Sequence, residues 1–413
     1  AYDMFEEAEV TAKPIKVIHT KDMNQFEPTD DGIFDMFRST VDQDALEDGV
    51  RVGFVDEMQK AIDKFDRKAD ADGYYSMNMG EKIANRFSIL QPKTIGKGSF
   101  STVVRAIDLK VNNKTVAVKI IRNYGTMFER AKKEADILRL LVKSDPRDER
   151  YLVRFLGHTT HQGHMCLMFE NLHQNLRELC TEASKNGQQG LPLTKIGTFA
   201  KQLLKALTLM KKLKLIHADI KPDNILAHES QKYVKLADLG SAFYDHEILI
   251  TPMMGSRWYR SPEVILGLEY DFAIDIWGLG CTLFELFAGR PLFRGGTNHD
   301  MLKLFCKSRG SFPHKVLKRG KFTMEHFDET GRFREHKQDK KTGKTTTTLT
   351  TIRMDSALSK ILASCRGVDT TSAMFVRFQD LLEQMLDLDP WRRIRPEAAL
   401  RHPFITTLLN DHT

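Results

Sequence analysis

The run His217-Ala218-Asp219-Ile220-Lys221-Pro222-Asp223-Asn224 sets a carboxylate, an ammonium and an amide within one tight loop. Shortly after it, Asp238-Leu239-Gly240 adds a second carboxylate beside a glycine that lets the backbone turn. These groups are equipment for phosphoryl transfer. Asp219 can accept or orient an attacking hydroxyl, and Lys221 can offset charge on the group in flight. Asn224 and Asp238 offer the hard oxygens that Mg2+ prefers. Read blandly, Asp219 and Asp238 are turn or cap residues. The agreement of types and spacing across the whole stretch favours the chemical reading.

Two upstream features fit the same chemistry. Ile95-Gly96-Lys97-Gly98-Ser99-Phe100-Ser101-Thr102-Val103 is a turn of small residues between strand-like runs. Glycine lacks Cβ, so its amide can approach a phosphate oxygen closely. A structural turn explains a lone Gly-x-Gly equally well. Lys119 stands on the apolar run Val116-Ala117-Val118, and Glu134 lies on the helical segment that follows. A lysine oriented by a carboxylate can hold phosphates, whereas an exposed pair of this kind contributes little stability.

The elements that must position these groups change character along the chain. Residues 85–172 read as β-rich, with strands at Arg86–Leu90, Thr115–Ile121 and Met165–Phe169 and one helix at Phe128–Val142. Residues 173–413 read as mainly helical, and Ile196, Phe199, Leu203, Leu207 and Met210 mark one amphipathic helix. The expected architecture is α+β: a small β-rich lobe, a large helical lobe, and a cleft between them where ligands bind. Residues 1–84 read as an acidic extension. Its apolar islands, Ile33–Phe37 and the helical stripe Phe54, Val55, Met58, Ile62 and Phe65, suit packing on the next domain or docking on partner proteins. Lys340–Thr348 is of low complexity and reads as a mobile basic loop.

Composition sets outer bounds. The chain has 413 residues, 41% of them hydrophobic and 28% charged, which excludes collagen-like and fully disordered classes. Five dispersed cysteines, none in a C-x-x-C pair, argue against a disulfide framework or a zinc knuckle. The net charge is +7, yet residues 1–80 hold 19 acids and 9 bases, a net −10, so the remainder carries +17. No apolar run is long enough to span a membrane, and no secretory signal pattern opens the chain. Lys315, Lys318, Arg319 and Lys321 would suit RNA, but no aromatic residue alternates with them, so they read as a solvated basic face.

Taken together, the motifs resemble a eukaryotic protein kinase over about residues 85–405. Ser256-Arg-Trp-Tyr-Arg-Ser-Pro-Glu263 and the long basic insert at 295–375 resemble the CMGC group. His217–Asn224, Asp238-Leu-Gly-Ser-Ala242 and Asp70-Ala-Asp-Gly-Tyr-Tyr75 look most like the pre-mRNA-processing splicing-factor kinases, near the DYRK and Cdc2-like branches. The resemblance implies a bilobal kinase fold and serine/threonine phosphorylation of spliceosomal proteins in the nucleus, with ATP and Mg2+ as cofactors. It implies that Ile95 to Val103 cover ATP, Ala117 lines its site, and Lys119 with Glu134 hold its phosphates. Phe169 falls at the gatekeeper position, and Glu170 and Leu172 at the hinge. Asp219 would be the base, with Lys221 beside it and Asn224 and Asp238 as metal ligands. Four positions depart from the pattern: Ala218 where many kinases carry arginine, Met253 where relatives often carry tyrosine, Leu239 for phenylalanine, and Ser101 for the third loop glycine. None removes a catalytic group. The alternatives are a kinase-fold docking scaffold in a ribonucleoprotein, joined through the N-terminal extension, or a DYRK-like regulatory kinase.

Overall fold

Alternating side chains build the first layer. In Lys114–Ile121, Val116, Val118 and Ile120 point into a core, which turns Ala117 and Lys119 to the opposite face. The computed structural model describes residues 73–407 except 91–93, 99, 339–344, 366 and 368. In its first half, β1 (Lys82–Ile83), β2 (Phe87–Ile89), β3 (Gly96–Lys97), β4 (Ser101–Asp108), β5 (Lys114–Ile121), β6 (Phe155–His161) and β7 (His164–Glu170) form one antiparallel sheet. Its order is β1-β2-β4-β5-β7-β6, with β3 paired to β4. Helix α1 (Met127–Ser144) lies between β5 and β6 in sequence. Its buried stripe of Ala131, Ala135, Leu138 and Leu141 also contains Glu134, so packing carries a carboxylate toward the sheet.

The second half is mainly helical. In chain order it runs β8 (Gln174–Asn175), α2 (Leu176–Lys185), α3 (Leu193–Lys212), β9 (Leu215–Ile216), β10 (Ile225–Ala227), β11 (Val234–Leu236), β12 (Phe243–Tyr244), α4 (Pro262–Leu266) and α5 (Ala273–Ala288). Then follow α6 (Asn298–Arg309), α7 (His314–Arg319), α8 (Thr323–His326), the hairpin β13 (Phe333–Gln338) and β14 (Thr345–Thr350), α9 (Leu358–Ala363) and α10 (Ala373–Met385). Capping boxes at Asn175/Glu178 and Thr297/Asp300 start α2 and α6. The predicted stripe of α3 is buried throughout, and every residue of α5 is buried. A helix apolar all round belongs in the centre of its lobe, and α5 sits beneath the loop that carries Asp219.

Three expectations need correction. The sheet begins upstream of residue 85: β1 starts at Lys82, and Tyr75 is buried in the core of the first lobe with Ile83, Phe87 and Ile89. The acidic texture of residues 1–84 hid a short segment whose aromatic and aliphatic side chains belong to the sheet. The half read as mainly helical carries short strands beyond the strand-like run expected at Tyr233–Leu236, which forms β11. β8, β10 and β11 form a three-stranded sheet, and β9 pairs with β12, close beside the Asp219 loop. The stretch read as a mobile basic loop supplies β14, where Thr345–Thr350 pair with Phe333–Gln338. β-Branched threonine favours a pleated strand. The islands at Ile33–Phe37 and Phe54–Phe65 lie outside the described residues.

Candidate active site

Strand β5 presents Lys119 to the cleft, and α1 meets it with Glu134. Lys119 Nζ lies 2.8 and 3.0 Å from the two carboxylate oxygens of Glu134, and 2.8 Å from Asp238 Oδ1. Lys119 and Glu134 are largely buried, while the Asp238 side chain is half exposed. Burial opposes the charge on Lys119, but Asp238 and Glu134 outweigh it and raise its pKa. Burial pushes the Glu134 carboxyl up against the pull of Lys119. Lys119 in turn holds the Asp238 carboxyl well below the usual carboxylate range. Gly240 lies close against the cluster: a Cβ there would stand 3.3 Å from Asp238 Oδ1 and 3.5 Å from Lys119 Nζ, so a larger side chain would press on the carboxylate.

The Gly-rich turn leads into β4, where Val103 pairs with both Gly96 and Lys119. Ile95 N donates to Val103 O at 2.9 Å, and Gly98 N donates to Ser101 O at 3.0 Å. A Cβ at Gly98 would meet no protein atom within 4 Å, so packing alone does not require glycine there. Phe100 is half-buried, and Ser101 is buried at the start of β4 rather than exposed as a loop residue. Ser99 and the side chain of Lys97 lie outside the described residues. At the back of the cleft Ala117 pairs with Phe169 across β5 and β7, and Phe169 and Leu172 are buried. The Glu170 carboxylate faces away from the cleft machinery: it accepts from Lys235 Nζ at 2.6 Å and Arg154 N at 2.7 Å.

Below the cleft, the loop between β9 and β10 holds the other groups. Asp219 is buried. Its Oδ2 lies 2.8 Å from Lys221 Nζ and accepts from Asn224 Nδ2 at 3.0 Å, while its Oδ1 accepts from Ser256 N at 3.0 Å. Lys221 Nζ also donates to Ser256 Oγ at 2.8 Å. Burial opposes the Lys221 charge, and the neighbouring Asp219 outweighs it, raising the pKa. Asn224 Nδ2 donates to Asp219 O as well, at 2.8 Å, which leaves its amide oxygen as the group it can offer a cation. That oxygen and the Asp238 carboxylate form an all-oxygen donor pair of the kind Mg2+ takes alongside phosphates. The site's donors therefore fit Mg2+.

The loop is held from beneath. Asp275, on α5, accepts from His217 N at 2.8 Å and Ala218 N at 2.9 Å, as its place on an apolar helix required. Glu263 and Arg393 form a fully buried bidentate pair at 2.5 and 2.9 Å. Ala218 adopts φ +67°, and Leu239 is buried in place of the aromatic.

Sequence reasoning missed one network. Arg177 of α2 donates to both oxygens of Asp223 at 2.7 and 2.8 Å, to Glu285 at 2.7 Å and to Tyr259 Oη at 2.7 Å. It ties the Asp219 loop, α5 and the Ser256–Glu263 segment together. Its only sequence signal was Glu285, a charge on the most apolar helix.

Residues 90–405 match the protein kinase domain family. The chain belongs to that family. It is similar to the serine/threonine-protein kinase prp4 of Schizosaccharomyces pombe, 37% identical over 92% of this chain and 78% of that protein. It is also similar to the serine/threonine-protein kinase prpf4B of Dictyostelium discoideum, 36% identical over 90% of this chain and 47% of that protein. The DYRK-family kinase pom1 of S. pombe is 34% identical over 82% of this chain and 29% of its own length. This chain is thus a protein serine/threonine kinase, an enzyme whose family uses ATP and Mg2+ and acts on protein substrates. Among the described residues, no helix is long and apolar enough to cross a membrane.

Proposed function

We propose that this kinase transfers the γ-phosphoryl group of ATP to serine and threonine hydroxyls of pre-mRNA splicing proteins in the nucleus. The observation that carries the chemistry is the pair of clusters lining one cleft: Lys119–Glu134–Asp238 above, Asp219–Lys221–Asn224 below. The subfamily motifs at His217–Asn224 and Asp238–Ala242, with the similarity to prp4 and prpf4B, support the splicing role.

In this reading Ile95, Gly96, Lys97, Gly98, Ser99, Phe100, Ser101 and Val103 cover the nucleotide, and Ala117, Phe169, Glu170 and Leu172 frame its base. Lys119, oriented by Glu134, holds its phosphates. Asp219 orients the substrate hydroxyl and accepts its proton at a carboxylate oxygen. Lys221 offsets charge on the transferring group. Asn224 and Asp238 would hold Mg2+, which when bound neutralises charge on the phosphate oxygens. Most of the rate comes from positioning and electrostatics, and a turnover of ~1–100 per second is expected. Residues upstream of 73 serve as a docking segment for the spliceosomal complex, with residues 73–172 and 173–413 as the two catalytic lobes.

The test is transfer from γ-labelled ATP to a nuclear extract, comparing wild type with Asp219→Ala. Labelled serine and threonine in spliceosomal proteins, lost with Asp219, supports the proposal. Labelling that survives Asp219→Ala, or negligible labelling by both proteins, overturns it.

A further inference from the structure

Lys315, Lys318, Arg319 and Lys321 lie on and just after α7, and all are exposed. Their aromatic neighbours along the sequence, Phe312 and Phe322, are buried. The fold brings an exposed one from far downstream. Trp391 is 43% exposed, with the Arg319 guanidinium carbon 4.7 Å and Lys315 Nζ 5.7 Å from its ring centroid. The adjacent Arg392 side chain is 71% exposed. Two of the cations are paired, Lys315 with the buried Asp389 at 2.5 Å and Arg392 with Asp387 at 3.6 Å; among the described residues Lys318, Arg319 and Lys321 form no ion pair, and they supply the positive field.

An indole set among cations at the surface is an arrangement with a specific use. Cations track phosphates without regard to sequence, and an aromatic face accepts an unstacked base. We infer that Trp391 with α7 forms a binding surface for single-stranded nucleic acid. Duplex bases are already stacked and offer no free face to the indole, so the strand must be single. An acidic peptide would satisfy the cations but need bring no ring to the exposed part of the indole. The surface is distinct from the cleft, since none of its residues belongs to the Lys119 or Asp219 cluster, and it does not depend on the splicing proposal.

Intrinsic fluorescence makes a direct probe. Of the three tryptophans, Trp277 is fully buried, and Trp258 is half-buried with Nε1 bonded to Gly295 O. Quenching that is present in wild type and lost in Trp391→Leu reports on Trp391. The whole chain is titrated with 12-mer oligouridylate and oligothymidylate at two salt concentrations, following quenching and the anisotropy of labelled oligomer. Saturable binding is expected at low salt. Trp391→Leu should weaken it about 5- to 100-fold. Lys318→Glu/Lys321→Glu should weaken it further and flatten its salt dependence. Phosphorylation of a short peptide should be unchanged in both variants, which also controls for folding. Preference for oligouridylate over oligothymidylate would identify RNA as the source, and equal affinity would identify single strands of either kind. No saturable binding, binding unaltered in both variants, or quenching by polyglutamate but by neither oligomer would overturn the inference.

Discussion

Lys119 is shared between two carboxylates of opposite character. Glu134 is buried and its pKa is raised, first by loss of solvent; Asp238 is half exposed and its pKa is lowered, first by Lys119 itself. Replacing Glu134 by the isosteric glutamine keeps the volume but leaves Lys119 free to follow Asp238 alone. The expected result is a fall in kcat/KM for ATP of about 10²-fold, the scale of a misplaced positioning group, with the thermal midpoint measured in parallel. An unchanged kcat/KM would mean that Asp238 suffices to hold the lysine. At the same scale, the four departures from the family pattern leave this cluster intact. Leu239 fills its site as an apolar residue, and Met253 lies with its sulfur 3.9 Å from Arg260.

Elements place these residues by close approach as much as by hydrogen bonds. Gly255 has φ +72°, and a Cβ there would stand 2.4 Å from Ala218 O, so the segment after Asp238 rests directly on the Asp219 loop. Gly255→Ala adds left-handed strain of about 1–2 kcal/mol and that clash. It should lower the melting temperature and reduce kcat/KM for protein substrates, read from thermal scans and peptide kinetics. A second element-level prediction concerns α6, α8 and β13. His326 on α8 lies with its Nδ1 3.0 Å from His299 Nδ1, and the His336 ring of β13 lies tilted to that of His299 with centroids 4.9 Å apart. Burial, then the neighbouring His299 and His336, push the His326 pKa down from 6.5 to about 4. The unfolded chain therefore takes up this proton first as pH falls. The stability that His326 contributes is complete above about pH 6.5 and is lost progressively toward pH 4, by at most about 3 kcal/mol. His326→Gln should lose less stability than wild type between pH 7 and 5, measured by denaturant unfolding at each pH. Parallel losses would remove His326 from the account.

At the scale of the whole molecule, the first lobe depends on a segment upstream of its strands. Tyr75 is buried; its hydroxyl donates to Glu81 at 2.5 Å and lies 3.1 Å from His161 Nε2, and its ring meets His161 and His164 edge-on. Upstream of it, Asn123 N donates to Gly73 O at 3.0 Å, and Tyr74 Oη donates to Gly98 O at 3.0 Å, which ties the segment to the Gly-rich turn. Tyr75→Ala should destabilise the chain by roughly 3 kcal/mol, the cost of emptying an aromatic site. A chain starting at residue 79 should lose about as much relative to one starting at residue 73. Equal melting temperatures for the two truncations would assign the anchoring elsewhere.

The sequence by itself determined the chemistry. Asp219, Lys221 and Asn224 fall within one loop, so their encounter needs only a local turn, and the change from two-residue to helical periodicity divides the lobes. Lys119 was placed on a strand and Glu134 on a helix, and a short path joins them. What only the tertiary structure decided are contacts between residues far apart in the chain. Arg177 joins Asp223, Tyr259 and Glu285 from three separate elements, and each alone reads as an ordinary surface or helix residue. Trp391 reaches α7 although nothing near it in sequence is part of α7. Tyr75 leaves an acidic stretch to enter the core. Periodicity reports which face of an element is apolar. It carries no information about which other element covers that face, because that choice is made by the packing of the whole chain at once.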